Sequence, residues 1–530
     1  MTAVLEPAQF IPARELPHGE LFYSPLGVFG FQAEHVAEAY LCTEPGMQQG
    51  VIAVHDTGLG KTILAMDLAA LLFEDDNIDL VMVIAERNKV EDWRRDFERF
   101  TALSAHLYHG AGRQKRLVRD GVPHAFITTY ETGRNELMTR VAKGRSKVMT
   151  DGPLFDALGL RGKRILWIFD EVTKLKSRSA EVHKAYAYAL SKLRKSAPHQ
   201  RVLGLTATPA EKDYEDTYNI CRVVVPELMP TVAAFEEEYT RGKDQFGRYQ
   251  FRATNKKDLA RLFTSVFLRK RKTDPDVIEQ FPKQVEEVIS VRMAPEHARL
   301  YKAVLELFTE DDDPRKFLAA RMTAAHPCSH LHASNGISQV IVDTVGADVL
   351  RSIPSSKSEE LIARLKPIVK GQGAQVIVFT FFGQSVLPEL HHELTDAGFT
   401  VATYHGGKTR RANDDAKDQF KSGNVEILLA SDAAARGLNL AEAEYVVEYE
   451  SALTYSNRLQ RINRAHRIDS QKPIVTCFTQ VLEGTIEASL FDRTLRRNAD
   501  HDLLLGDTED GTSFVPAAER KRMFEAARKR

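Results

Sequence analysis

Gly50-Val51-Ile52-Ala53-Val54-His55-Asp56-Thr57-Gly58-Leu59-Gly60-Lys61-Thr62 is the stretch whose reading decides the fold. A short β-branched run, apolar throughout, reads as a strand buried on both faces. A glycine-punctuated turn follows it, and from Thr62 to Phe73 the pattern becomes that of a helix. Strand, glycine turn and helix start together form a phosphate-binding grammar. Glycines let backbone N–H groups approach an anion, and the helix N-terminus adds its positive end. In that grammar Thr57, Gly58, Leu59 and Gly60 line the phosphates. Lys61 reaches the β- and γ-phosphates, and the Thr62 hydroxyl ligates Mg²⁺. His55 stands where the simple pattern has glycine. Taken alone, the turn could also be a structural strand-to-helix corner, the lesser of the two readings.

Outward from this loop the same alternation continues. Leu80 to Ala85, Ala125 to Thr129, Ile165 to Phe169 and Arg201 to Leu205 read as strands, with amphipathic stretches between them. That order implies a parallel sheet covered on both faces. A second series begins near residue 375, with strands expected at 375–380, 400–404, 427–430, 445–449 and 474–479. The expected plan is an N-terminal extension over 1–24, a first α/β lobe over 25–225 and a helical insertion over 226–355. A second lobe over 356–500 and a tail over 501–530 complete it. The tail turns from acidic (Asp507, Glu509, Asp510) to basic (Arg520-Lys521-Arg522, Arg528-Lys529-Arg530).

Composition narrows the class. The chain has 530 residues, 43% hydrophobic and 27% charged, with a formal net charge of −1. It has ample apolar material for several cores. Such neutrality argues against broad, non-specific coating of nucleic acid, but not against a groove of local positive charge. No apolar run of about 18 residues or more is present, so no membrane partner is expected. Cys42, Cys221, Cys328 and Cys477 are widely spaced, which points to a reducing, cytoplasmic setting without a disulfide framework.

A second chemical element is Ile168-Phe169-Asp170-Glu171, an apolar strand ending in adjacent carboxylates. Asp170 can hold Mg²⁺ through water, and Glu171 can orient or deprotonate an attacking water. Acids also decorate ordinary helix starts. With the phosphate loop upstream, the pair reads as the rest of an ATP and Mg²⁺ site.

At this point the chain resembles the superfamily 2 helicases, and among them the Swi/Snf-type DNA translocases. Gln32 is similar to the family's adenine-reading glutamine. The strand at Val83-Ile84-Ala85 and the helix with Trp93 match the next motif, and Thr128-Thr129-Tyr130 sits at a strand-contacting turn. Leu205-Thr206-Ala207-Thr208-Pro209 resembles the motif that links hydrolysis to strand movement. Phe267-Leu268-Arg269-Lys270-Arg271-Lys272 and Gly484-Thr485-Ile486-Glu487 resemble segments of the Swi/Snf branch. In the second half, Val376 to Thr380, Tyr404-His405-Gly406-Gly407 and Ser431-Asp432-Ala433-Ala434-Ala435-Arg436-Gly437-Leu438-Asn439-Leu440 follow in the family's order. Gln460-Arg461-Ile462-Asn463-Arg464-Ala465-His466-Arg467 follows them.

The resemblance implies two RecA-like parallel-sheet lobes with a helical insertion, and assigns roles. Gly437 and Asn439 join the nucleotide-binding set. Thr128, Thr129, Thr206, Thr208, Thr380, His405, Gly406 and Ser431 become nucleic-acid contacts, and Arg464 and Arg467 become catalytic arginine fingers. Three apart, those arginines would share a helix face, and an arginine at a transferring phosphoryl group is worth roughly 10³–10⁵ in rate. Thr173, His55 and Asn463 depart from the family's usual residues.

The implied activity is a DNA-dependent ATPase: a translocase or helicase moving on duplex DNA, with single-stranded DNA as a second candidate substrate. An RNA-dependent ATPase is the lesser alternative, because Ala433 to Leu438 also resembles the RNA-helicase form of that motif. The motor subunit of a restriction-type complex, acting with a protein partner, is another. The compact form resembles phage and bacterial enzymes, so a monomer without a chromatin-reading module is expected in a bacterial or phage-infected cytoplasm. His326-Pro327-Cys328-Ser329-His330-Leu331-His332 invites a zinc reading, but no second ligand pair lies at finger spacing.

Overall fold

The computed structural model describes residues 30–491, apart from 144–145, 197–198, 210–213, 244–248, 309–313, 334, 433–437, 439, 454 and 468–469. Gly437 and Asn439 therefore lie outside the described residues, as do both terminal segments. The chain divides into two compact units, with the boundary between Val277 and Ile278.

The first unit is built on strands β1 (Gly50–His55), β2 (Leu80–Ala85), β3 (Ala105–Tyr108), β4 (Ala125–Thr129), β5 (Ile165–Asp170), β6 (Gln200–Thr206) and β7 (Phe267–Lys270). They form one 7-stranded sheet in the order β7-β1-β6-β5-β2-β4-β3. All six pairings are parallel. Successive side chains feed opposite faces, as the pleat requires. Ile52, Val54, Met82, Ile84, Trp167 and Phe169 enter one core, whereas Val51, Ala53, Val81, Val83, Leu166 and Ile168 enter the other. This accounts for the uninterrupted apolar runs in the sequence. Helices α1 (Gly30–Cys42), α2 (Lys61–Glu74) and α3 (Val90–Phe100) belong to this unit. On α3 only Val90, Trp93 and Phe97 are buried, one stripe of an otherwise charged helix.

The second unit carries β8 (Lys283–Val291), β9 (Val376–Thr380), β10 (Val401–Tyr404), β11 (Ile427–Ser431), β12 (Tyr445–Glu448) and β13 (Ile474–Leu482). These make a 6-stranded sheet in the order β8-β13-β12-β9-β11-β10, again parallel throughout. Val376, Val378, Ile427 and Leu429 point into one core, and Ile377, Phe379, Leu428 and Ala430 into the other. Helices α4 (Leu387–Asp396) and α5 (Tyr455–Ile462) lie between its strands in sequence.

The expectation of a helical insertion over 226–355 needs correction. Helices over Pro295–Glu306, Pro314–Ala325, Gly336–Val345 and Ala347–Ser352 do lie there, and Leu300, Val304, Ala319, Ile341 and Leu350 give them a small core of their own. Yet β7 completes the first sheet and β8 the second. Both are edge strands, one neighbour short, so neither needs the continuous apolar run that betrays a central strand. β7 is only 4 residues long and half basic. In β8 only Ile289 and Val291 are buried. Two antiparallel hairpins, Met138–Lys143 with Ser146–Asp151 and Thr240–Lys243 with Tyr249–Phe251, were also unread in the sequence.

Candidate nucleotide site

The loop after β1 and the acids after β5 lie at the carboxyl ends of strands separated by β6 alone, the usual place for ligands in parallel sheets. Gly58 and Gly60 adopt φ of 95° and 69°, left-handed values that glycine reaches at little cost. Helix α2 begins at Lys61. The Lys61 Nζ donates to the carbonyl oxygens of His55 (2.8 Å) and Asp56 (3.3 Å), so the ammonium is folded back across the loop it serves. Thr57, Gly58, Gly60 and Thr62 are half-buried, while Leu59 is buried and anchors the loop.

Asp56 braces the loop against the sheet edge. Arg269 on β7 pairs with its Oδ1 at 2.7 Å, and the Lys272 amide donates to Oδ2 at 3.0 Å. Burial alone would lift this carboxyl; the Arg269 charge and these hydrogen bonds hold it below the ordinary range. His55, fully buried, lies 2.7 Å (Nε2) from the Nδ1 of His35 on α1. Burial first, then His35 and the nearby Lys61, Arg269 and Lys270, depress its pKa, so it is a neutral spacer. The departure from glycine at position 55 thus supplies a side chain that ties α1 to the loop.

Gln32 also touches the loop. Its Nε2 donates to the Leu59 carbonyl at 3.0 Å and lies 3.4 Å from that of Gly60, so here the amide steadies the loop backbone. A Cβ at Gly60 would collide with that same Nε2. We therefore expect Gly60→Ala to cost about 1–2 kcal/mol from its left-handed backbone, and to displace Gln32 as well. A lowered thermal midpoint together with weakened nucleotide binding, by calorimetry, checks this; unchanged binding would refute it.

Asp170 accepts from the Trp93 indole N–H at 2.9 Å, and the Tyr130 hydroxyl donates to the Asp170 carbonyl at 2.9 Å. Burial raises the Asp170 carboxyl above the ordinary range, opposed by the Trp93 hydrogen bond and the charges of Lys89 and Lys61. The lysine and the aspartate are thus within electrostatic reach of one another. The Asp170 carboxyl and the half-buried Thr62 hydroxyl are oxygen donors of the kind that a hard divalent cation takes. Glu171 sits at φ 54°, a conformation costing a non-glycine residue about 1–3 kcal/mol and found most often at working sites. Trp93 and Tyr130 hold the acids in place, roles that the sequence reading did not give them. No local signal could have found them, since Trp93 lies 77 positions from Asp170.

The hydroxyls proposed for nucleic acid are differently placed. Thr128 donates to the Tyr108 carbonyl at 2.8 Å. Thr129 caps the helix Tyr130–Leu137 by accepting from the Thr132 amide at 3.1 Å. Thr206 accepts from the Thr208 amide at 3.1 Å, and Thr380 donates to Glu450 at 2.9 Å. These side chains shape the turns, because strand ends in a sheet covered on both faces bury their hydroxyls and must satisfy them internally. Thr208 and Ser431 are buried, His405 is half-buried and accepts from the Gly407 amide, and Gly406 is exposed.

In the second unit α5 ends at Ile462, so Arg464 and Arg467 lie in the turn after it, not on a shared helix face. The backbone is drawn off the helix by the Leu440 amide, which donates to the Arg464 carbonyl at 3.1 Å. His466, 2.8 Å from the Pro282 carbonyl, pins it further. Arg464 is buried and donates to the Leu438 and Gln460 carbonyls, each at 2.9 Å. Arg467 is half-buried.

Residues 32–346 match the SNF2-related domain, and residues 356–469 match the helicase conserved C-terminal domain. The chain belongs to the SNF2-related family. Among curated relatives of this SNF2-related chain is the human chromodomain-helicase-DNA-binding protein 6, 24% identical over 507 residues. The match covers 91% of this chain and 18% of the relative. Another is the CHD3-type chromatin-remodeling factor PICKLE of Arabidopsis thaliana, 24% identical with 87% of this chain and 33% of that protein covered. The chain thus spans under a fifth of the first of these and about a third of the second. In fold it is similar to the helicase domain of Pyrococcus furiosus Hef, with a TM-score of 0.55 and 15% identity. That likeness covers 88% of this chain and 98% of the other.

Proposed function

We propose that this SNF2-related chain hydrolyses ATP with Mg²⁺ and couples the hydrolysis to movement along duplex DNA. The observation that carries the reading is the juxtaposition of the Lys61 loop with Asp170 and Glu171 at one end of the first sheet, at the carboxyl ends of β1 and β5 with only β6 between them. On this reading the loop amides and Lys61 hold the phosphates, and Thr62 and Asp170 hold the cation. Glu171 takes up the proton of the attacking water, and Arg464 and Arg467 supply positive charge to the γ-phosphoryl group. Bound Mg²⁺ would supply neutralisation of charge on the β- and γ-oxygens. Duplex DNA as the track is supported by family membership and by the DNA-binding relative named above. Strand separation, and remodelling of forks or recombination intermediates, would be consequences of such movement.

The test is steady-state ATP hydrolysis by the purified chain alone and with duplex DNA, single-stranded DNA or RNA. Stimulation of at least tenfold by duplex DNA is the expected result. Stimulation by RNA alone would replace the track with RNA. A chain inert with every nucleic acid, yet active once a protein partner is added, would be the motor subunit of a larger complex.

A further inference from the structure

The histidine-rich segment set aside in the sequence for want of a second ligand pair acquires a further candidate ligand in the fold. Residues Pro327–Leu331 form a short turn whose start is capped by His326: its Nδ1 accepts from the Cys328 amide at 3.0 Å. Facing this turn, α4 presents Glu389 and Glu393, one helical turn apart. Ligand atoms of His326, Cys328 and Glu389 all lie within 4.8 Å of one another, with His326 and Cys328 buried and Glu389 half-buried. We propose that His326, Cys328 and Glu389 form a binding site for a divalent transition-metal ion of the Zn²⁺ class.

The outer contacts match what such a site needs. His326 Nε2 lies 3.1 Å from Glu393 Oε1. With Nδ1 accepting from the Cys328 amide, Nε2 carries the proton and donates it to the carboxylate. This fixes the tautomer and leaves the Nδ1 lone pair directed toward Cys328, the arrangement of carboxylate–histidine–metal triads. Glu393 Oε2 is buried with no partner among the described residues. His332 Nε2 hydrogen-bonds one oxygen of Glu389, leaving the other for a ligand. His330 is committed elsewhere, to Thr323 and Ser338, and takes no part. Nitrogen, sulfur and carboxylate oxygen are the donors that Zn²⁺ takes in tetrahedral sites, with water completing the set. On binding, Cys328 loses its thiol proton to solvent and the weak Sγ contact to the Leu350 carbonyl (3.4 Å). The Cys328 amide gives up its bond to Nδ1. In return, the ion would tie the insertion to α4 through ligands that sequence separates by 61 residues (328 to 389). The proposal is independent of the ATP site.

Cobalt(II) makes the site visible. The full chain, stripped by a chelator and desalted, is titrated with Co²⁺ and followed by absorption. The expected result is one ion per chain, with a thiolate-to-cobalt charge-transfer band in the near ultraviolet and the visible bands of a four-coordinate centre, both discharged by Zn²⁺. Cys328→Ser should remove the charge-transfer band. Glu389→Gln, at a half-exposed carboxylate whose loss leaves the fold intact, should weaken binding at least tenfold, and His332→Gln about 10–100-fold. Matching apo thermal midpoints show that the variants fold. No charge-transfer band in the parent, a band that survives Cys328→Ser, or an affinity indifferent to Glu389→Gln would overturn the proposal and leave two histidine–glutamate pairs as a simple clamp.

Discussion

Lys61→Ala is expected to reduce ATP turnover by at least about 10²–10³-fold, the scale of losing one preorganised charge at a developing anion. The side chain is only half-buried, and its partners are the loop's own His55 and Asp56 carbonyls. Removing the ammonium leaves the buried His55 carbonyl without this donor, a cost of about 1–3 kcal/mol, so the variant should fold with a modestly lowered thermal midpoint. The Lys61 charge also lowers the Asp170 pKa against its burial. Lys61→Arg should not restore the rate, because a guanidinium fork fills space where a compact ammonium reaches between oxygens. Phosphate release measures both rates. Turnover above a tenth of the parent rate would remove Lys61 from the chemistry and reopen the reading of the loop as a bare structural corner.

Much of this was legible because central parallel strands announce themselves. Val51 to Val54 and Ile165 to Phe169 are buried on both faces, so they carry no polar residue to confuse the reading. The loop at Gly58 to Thr62 and the acids at Asp170 and Glu171 were legible for a different reason: chemistry fixes residue types at fixed spacing within one turn. What stayed hidden depends on neighbours brought by the fold. β8 was missed because an edge strand with exposed Val285 and Val288 lacks an apolar run. Trp93 and Tyr130 were motif markers in the sequence, and only the fold, which brings Trp93 on α3 and Tyr130 just after β4 to the carboxyl end of β5, turns them into supports for Asp170. The threonines at strand ends invited a nucleic-acid role by resemblance; the fold shows in addition that their hydroxyls bond neighbouring backbone and Glu450, contacts that the sequence does not announce. The same limit applies to Cys328, whose candidate co-ligand Glu389 arrives on a separate helix.

The turn after α5 separates the effects of its two arginines. Beneath it lies a buried ionic cluster: Arg461, fully buried, donates through Nε to Asp432 (2.8 Å) and through Nη1 to the Glu450 carbonyl (2.8 Å). Arg458 joins Glu448 (3.1 Å) to Glu286 (2.5 Å). Such a cluster is costly to break one partner at a time, about 3–5 kcal/mol, and it fixes where the turn leaves the helix. Arg464 continues that framework, with its guanidinium on the Leu438 carbonyl. Arg464→Ala should therefore lose stability and rate together. Arg467 is half-buried and farther along the turn, so Arg467→Ala should leave the thermal midpoint within a few degrees. Its kcat should nevertheless fall by roughly 10³–10⁵, the scale of an arginine acting on a transferring phosphoryl group. Because that charge matters chiefly in the transition state, nucleotide affinity should change little. Single-turnover hydrolysis beside equilibrium binding of a non-hydrolysable nucleotide distinguishes the cases. A loss confined to binding, or a loss in Arg467→Ala that tracks unfolding, would assign the arginine to the framework and leave the γ-phosphoryl charge to another group.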